Sequence, residues 1–89
     1  MSIYTIERVL WDLQDSNEKS ALYRNDPDEI LENYSLTPDE LSILSKMNIE
    51  AMVTLGVDQM LMFMTWQAIN GPQGIPEYMQ RLNNINNNN

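Results

Sequence analysis

The 89-residue chain contains no histidine and no cysteine. It therefore lacks the usual general base near neutral pH and the usual thiolate nucleophile. The histidine ligands of a facial iron triad or a zinc hydrolase are missing too. What remains for chemistry is carboxylates, hydroxyls and lysine. Carboxylates cluster twice, at Pro27-Asp28-Glu29 and Pro38-Asp39-Glu40. Neither cluster has the regular oxygen ladder and central glycine of a calcium loop. Both have the grammar of a helix start: a capping Asp26 or Thr37, a proline where its missing N–H costs nothing, and acids in the first turn, where the helix dipole favours them. The chain is accordingly expected not to be an enzyme on its own, and to hold no catalytic, cofactor or metal-ligating residue.

The other residues that stand out do so by being apolar. Over Val57 to Ile69, VDQMLMFMTWQAI, only Asp58, Gln59, Thr65 and Gln67 are polar. On a helical wheel Met60, Phe63 and Met64 form one stripe and Met62, Trp66 and Ile69 a second, with Leu61 and Ala68 between them. A helix apolar nearly all round must be covered nearly all round, and a chain this short has few helices to cover it. Methionine is flexible and polarisable, and aromatic residues are enriched at interface centres. Met60, Phe63, Met64 and Trp66 are therefore the expected partner-binding residues. Each taken singly is better accounted for as core filling; the helix as a whole is not, because the remaining short helices cannot cover every side.

The elements around this segment can be placed by their punctuation. Ile3, Ile6, Val9, Leu10 and Leu13 recur at helical spacing behind Ser2, a candidate N-cap. Trp11 and Tyr4 lie off that stripe and are expected to wrap the edge of the core rather than to meet a partner. Asp15, Ser16 and Asn17 break the helix, and a short one with Ala21, Leu22 and Tyr23 follows. Asp26 starts a third, with Ile30, Leu31 and Tyr34 on its buried side. Thr37 with Glu40 makes a capping box, and Leu36 and Leu41 a hydrophobic staple, for a helix burying Leu41, Leu44 and Ile43. Asn48 caps a helix with Ile49, Met52, Val53 and Leu55 that Gly56 stops. Asp58 caps the central helix, which ends at Gly71-Pro72. Pro76 and Glu77 open the last, with Tyr78, Met79 and Leu82. No window alternates with period two. The fold class expected is all-α: a single small bundle of six or seven short helices over residues 1–82, followed by a disordered asparagine-rich tail, 83–89, too polar to repay its ordering entropy.

Thirteen acidic against five basic side chains give a net charge of −8. Such a surface suits neither nucleic acid nor anionic lipid. The longest apolar run is the five residues Met60 to Met64, far short of the roughly 20 needed to cross a bilayer. The start of the chain has no basic segment followed by an apolar block. A cytoplasmic location is expected.

Tyr34-Ser35-Leu36-Thr37-Pro38-Asp39-Glu40, then Met47-Asn48-Ile49-Glu50-Ala51-Met52, then Leu55-Gly56-Val57 resemble in order and spacing the small, LigA-type alpha subunit of the protocatechuate 4,5-dioxygenase class of extradiol ring-cleaving enzymes. Tyr23-Arg24-Asn25-Asp26-Pro27 and Ser2-Ile3-Tyr4 resemble short stand-alone members of that group, so the likeness covers roughly Ser2 to Leu82. It implies a helical accessory subunit in aromatic-compound catabolism, docked on a larger beta-type catalytic subunit and helping to close the active site. The Fe(II) cofactor would be held in that partner and none in this chain. Two positions depart from the pattern: Asn48 stands where aspartate is usual, and Asp58-Gln59 where many relatives have His-Pro. The domain also resembles the leader domain of borosin-type precursors, which present a C-terminal tail to a methyltransferase. Self-association as a homodimer would cover the central helix as well as a catalytic subunit would.

Overall fold

A computed structural model describes residues 3–87. Seven α-helices follow one another: α1 (Ile3–Asp15), α2 (Asn17–Asn25), α3 (Pro27–Leu31), α4 (Pro38–Lys46), α5 (Ile49–Leu55), α6 (Gln59–Asn70) and α7 (Ile75–Asn87), with a 3-10 turn at Pro72–Gly74 before the last. Among the described residues there is no strand. The architecture is the small all-α bundle that the periodicity predicts. Ser2, the candidate cap of α1, lies outside the described residues.

The helix starts sit where their caps put them. The Asp26 carboxylate accepts from Glu29 N at 3.4 Å, the Asn48 amide oxygen from Ala51 N at 3.1 Å and the Asp58 carboxylate from Leu61 N at 2.9 Å. The capping box is complete, with Glu40 N donating to Thr37 Oγ1 at 3.2 Å and Thr37 N to Glu40 Oε1 at 2.9 Å. Two helices stop in the left-handed region, at Met47 (φ 47°) and Gly56 (φ 88°). A left-handed non-glycine costs roughly 1–2 kcal/mol. Met47 offsets that strain because its side chain is buried in the core.

The core is built on α1 and α6. Ile6, Val9, Leu10 and Leu13 of α1 are completely enclosed, at about 1.5–3 kcal/mol for each side chain buried. Against them α6 presents Met62, Thr65, Trp66 and Ile69, the i, i+3, i+4, i+7 face of a helix. Thr65 is wholly buried at this contact; its hydroxyl bonds the Leu10 carbonyl at 3.1 Å and that of Leu61 at 2.8 Å.

Two faces differ from the sequence expectation. On α2 the buried residues are Ser20 and Tyr23, while Ala21 and Leu22 are exposed. On α4 they are Glu40, Ile43 and Leu44, while Leu41 is exposed. In each case a polar side chain takes the inner position because it has a bond to make there. Ser20 Oγ donates to the Leu13 carbonyl at 2.6 Å, and the Glu40 carboxylate closes the capping box. The last helix also differs. It runs through the Leu82–Asn83 boundary to Asn87, so the asparagines to that point are helical rather than a disordered tail. Extending a helix that is already nucleated adds a bond for each residue fixed, whereas starting one does not.

Candidate docking groove between α1 and α6

The structure divides the four expected partner-binding residues. Met60 and Met64, one turn apart on α6, are 68% and 39% exposed. Phe63 is half-buried, its ring edge-on to Tyr78 with centroids 5.5 Å apart. Trp66 is only 5% exposed and belongs to the core, which corrects the expectation for it. The cause is α7: the Tyr78 ring lies against Trp66, centroids 5.8 Å apart and planes inclined by 49°, and the Arg81 guanidinium lies 5.3 Å from the centre of the indole. The indole N–H donates to the Gly74 carbonyl at 2.8 Å. With its ring enclosed and its N–H satisfied, the indole serves the core and is not on the uncovered side of α6.

Trp11 moves the other way. It is 55% exposed, and Tyr4, at 86%, stands in solvent rather than on the core's edge. Trp11, Met60, Leu61 and Met64 line a surface groove of about 360 Å³ between α1 and α6, which Glu7 and Asp58 complete. The two acids are held by backbone. Asp58 N donates to Glu7 Oε2 at 2.9 Å, and Asp58 Oδ1 caps α6. This bond and the one from Thr65 to Leu10 fix the helices side by side, running in the same general sense. The two acids therefore lie together where α6 starts, with Met60 and Leu61 beside them and Trp11 and Met64 farther along the two helices. Trp11 could have been found from the sequence by noticing that Glu7 and Trp11, at i and i+4, share a face of α1 that excludes Ile6, Val9, Leu10 and Leu13.

The remaining polar groups serve the fold. Tyr23 donates to the Leu44 carbonyl at 2.5 Å and reaches that of Ser45 at 3.2 Å. Burial, with Asp28 adding to it, pushes its pKa up to about 12. Tyr34 donates to Asp12 Oδ2 at 2.7 Å; burial first, then that bond and the Asp12 charge, push it up to about 12 against a lowering by Arg8. Burial also raises Tyr78. Arg24 bonds the Ala68 and Ile69 carbonyls at the C-terminal end of α6, where a cation meets the negative end of the dipole. Among the described residues no three carboxylates gather into a site for a metal ion, and no helix is long and apolar enough to cross a membrane. Compared with protein-family models, with curated proteins and with solved structures, the chain has no match.

Proposed function

We propose that the chain is a non-catalytic accessory subunit that docks through the α1–α6 groove on a larger catalytic chain in the cytoplasm. In the form suggested by the LigA-type resemblance, that chain is the iron-bearing beta-type subunit of an extradiol dioxygenase, and the small subunit helps to close its active site. The observation that carries the reading is the trough of Trp11, Met60, Leu61 and Met64. These are large apolar side chains left partly in water, although the same two helices bury Ile6, Val9, Leu10 and Leu13 of α1 and Met62, Thr65, Trp66 and Ile69 of α6. Covering such a side chain is worth about 1.5–3 kcal/mol, and a few of them at the centre of an interface supply most of its energy.

The test is to isolate the tagged chain from its own host with whatever it binds, and to supply ferrous iron and a catechol in air to the isolated chain and to the complex. Ring opening, followed by oxygen uptake, is expected from the complex and not from the chain alone. A Met60→Ser, Met64→Ser double variant is expected to capture no catalytic chain. Turnover by the isolated chain would overturn the accessory reading. Capture of the same proteins by wild type and double variant would remove the groove as the docking face.

A further inference from the structure

We infer that the partner segment received by this groove carries a lysine or arginine about one helical turn from an apolar anchor, with the cation seated over Glu7 and Asp58. The inference rests on the docking reading and adds the chemistry of the occupant. Its basis is the charge at one end of the trough. Glu7 and Asp58 are tied together by a 2.9 Å bond from the Asp58 backbone, and no basic residue lines the groove. The ion pairs found among the described residues are elsewhere, between Arg81 and Glu50 and Glu77. The N-terminal end of α6 offsets about half an elementary charge, against two carboxylates. A purely apolar occupant would leave this excess at the rim of a low-dielectric contact. A cationic one would neutralise it, and its stem could lie along the apolar floor.

The spacing follows from helix rise. Met60 and Leu61 follow directly on Asp58, while Trp11 lies four residues from Glu7 and Met64 six from Asp58, so the far apolar pair, Trp11 and Met64, lies about 6–9 Å from the acids along the helices. That distance matches positions i and i+4 of a partner helix, or two to three residues of an extended segment.

A second copy of the chain fits the groove poorly. Pairing two grooves about a two-fold axis lays Glu7 and Asp58 of each copy either against the same acids of the partner or against the partner's apolar side chains, in neither case against a cation, on chains that each carry −8. Of the five basic residues none lines the groove: Arg24 is spent on the end of α6, Arg81 on Trp66 and its two glutamates, and Arg8, Lys19 and Lys46 lie outside the groove lining, so a two-fold pairing of grooves brings no cation to the acids.

The experiment is selection of a displayed library of random peptides on the whole chain, with the winners measured against two variants. Glu7→Gln with Asp58→Asn removes the charge while keeping an acceptor for the Asp58 N–H and a good helix cap; circular dichroism melting verifies that it folds. Met60→Ser with Met64→Ser removes the floor. Winners are expected to carry a basic residue three or four positions from a Leu, Phe or Trp. They should bind the charge variant about tenfold more weakly, about threefold for each exposed charge, with a flatter salt dependence, and fail to bind the floor variant. Winners without a basic residue, or bound equally by the charge variant, overturn the inference and leave the docking reading standing. Selection that yields no peptide sensitive to the floor variant overturns both. A dimer in sedimentation equilibrium that the floor variant dissolves overturns the choice of occupant.

Discussion

Met60, Met62 and Met64 lie within five residues of one helix and share one chemistry, yet the structure gives them opposite roles. Met62 is 1% exposed and sits against α1; replacing it with alanine removes buried atoms and leaves a cavity in a close-packed interior, at a cost of about 2–5 kcal/mol. The whole stability of a chain this size is about 4–13 kcal/mol, so that loss is a large fraction of it. Met60→Ala should cost less than about 0.5 kcal/mol, as for a surface position, and Met64→Ala an intermediate amount near 1 kcal/mol. With a urea m-value of about 1.5 kcal/mol/M, a 3 kcal/mol loss at Met62 lowers the unfolding midpoint by about 2 M, while Met60→Ala leaves it nearly in place. Urea titration followed by far-ultraviolet circular dichroism measures both. Equal losses at Met60 and Met62 would mean that Met60 is core, and the groove would lose its most exposed methionine.

Three further outcomes follow from the packing. Gly71 adopts φ 74°, ψ 177°, a region essentially closed to side-chain-bearing residues, so Gly71→Ala should cost about 1–3 kcal/mol by thermal melting; no loss would mean that the turn re-forms differently. Thr65→Val keeps shape but deletes the hydroxyl bonded to Leu10 and Leu61; a loss of about 1 kcal/mol is expected in urea titration, and a gain would show that the bonds do not repay desolvation. Tyr23, with a folded pKa about 12 against 10 unfolded, stays protonated in the fold while the unfolded chain ionises. Its contribution is therefore complete below pH 10 and declines between about pH 10 and 12, by at most ~1.4 kcal/mol per pH unit. Tyr23→Phe should be destabilised by about 1–3 kcal/mol at neutral pH and lose less on the alkaline side; an unchanged alkaline slope would contradict that assignment.

Helix existence and starts were legible because they are written locally. Thr37 and Glu40 can make their reciprocal bonds without knowing where the rest of the chain lies. Which face turns inward was less legible wherever a polar side chain takes a core position. Ser20 and Thr65 bond carbonyls seven and fifty-five residues away, and such partners cannot be counted before the fold is known. Spacing did carry a signal, since Glu40, Ile43, Leu44 and Met47 form an i, i+3, i+4, i+7 stripe that polarity alone hides. At the groove the surplus apolar circumference of α6 pointed correctly to Met60 and Met64 as the uncovered side. Trp66 was misassigned because Tyr78 and Arg81, from the following helix, cover it. Trp11 was missed as a groove residue because its neighbours there belong to α6, some fifty residues along the chain.

Methionine methyl resonances with a soluble paramagnetic probe, recorded for the chain alone and for the complex isolated with it, test the docking groove most directly. In the free chain the probe is expected to broaden Met60 strongly and Met64 moderately, and to spare the buried Met47, Met52 and Met62; in the complex Met60 and Met64 should become protected. Broadening of Met60 and Met64 to the same extent in both states, or protection of both in the free chain, would contradict the account.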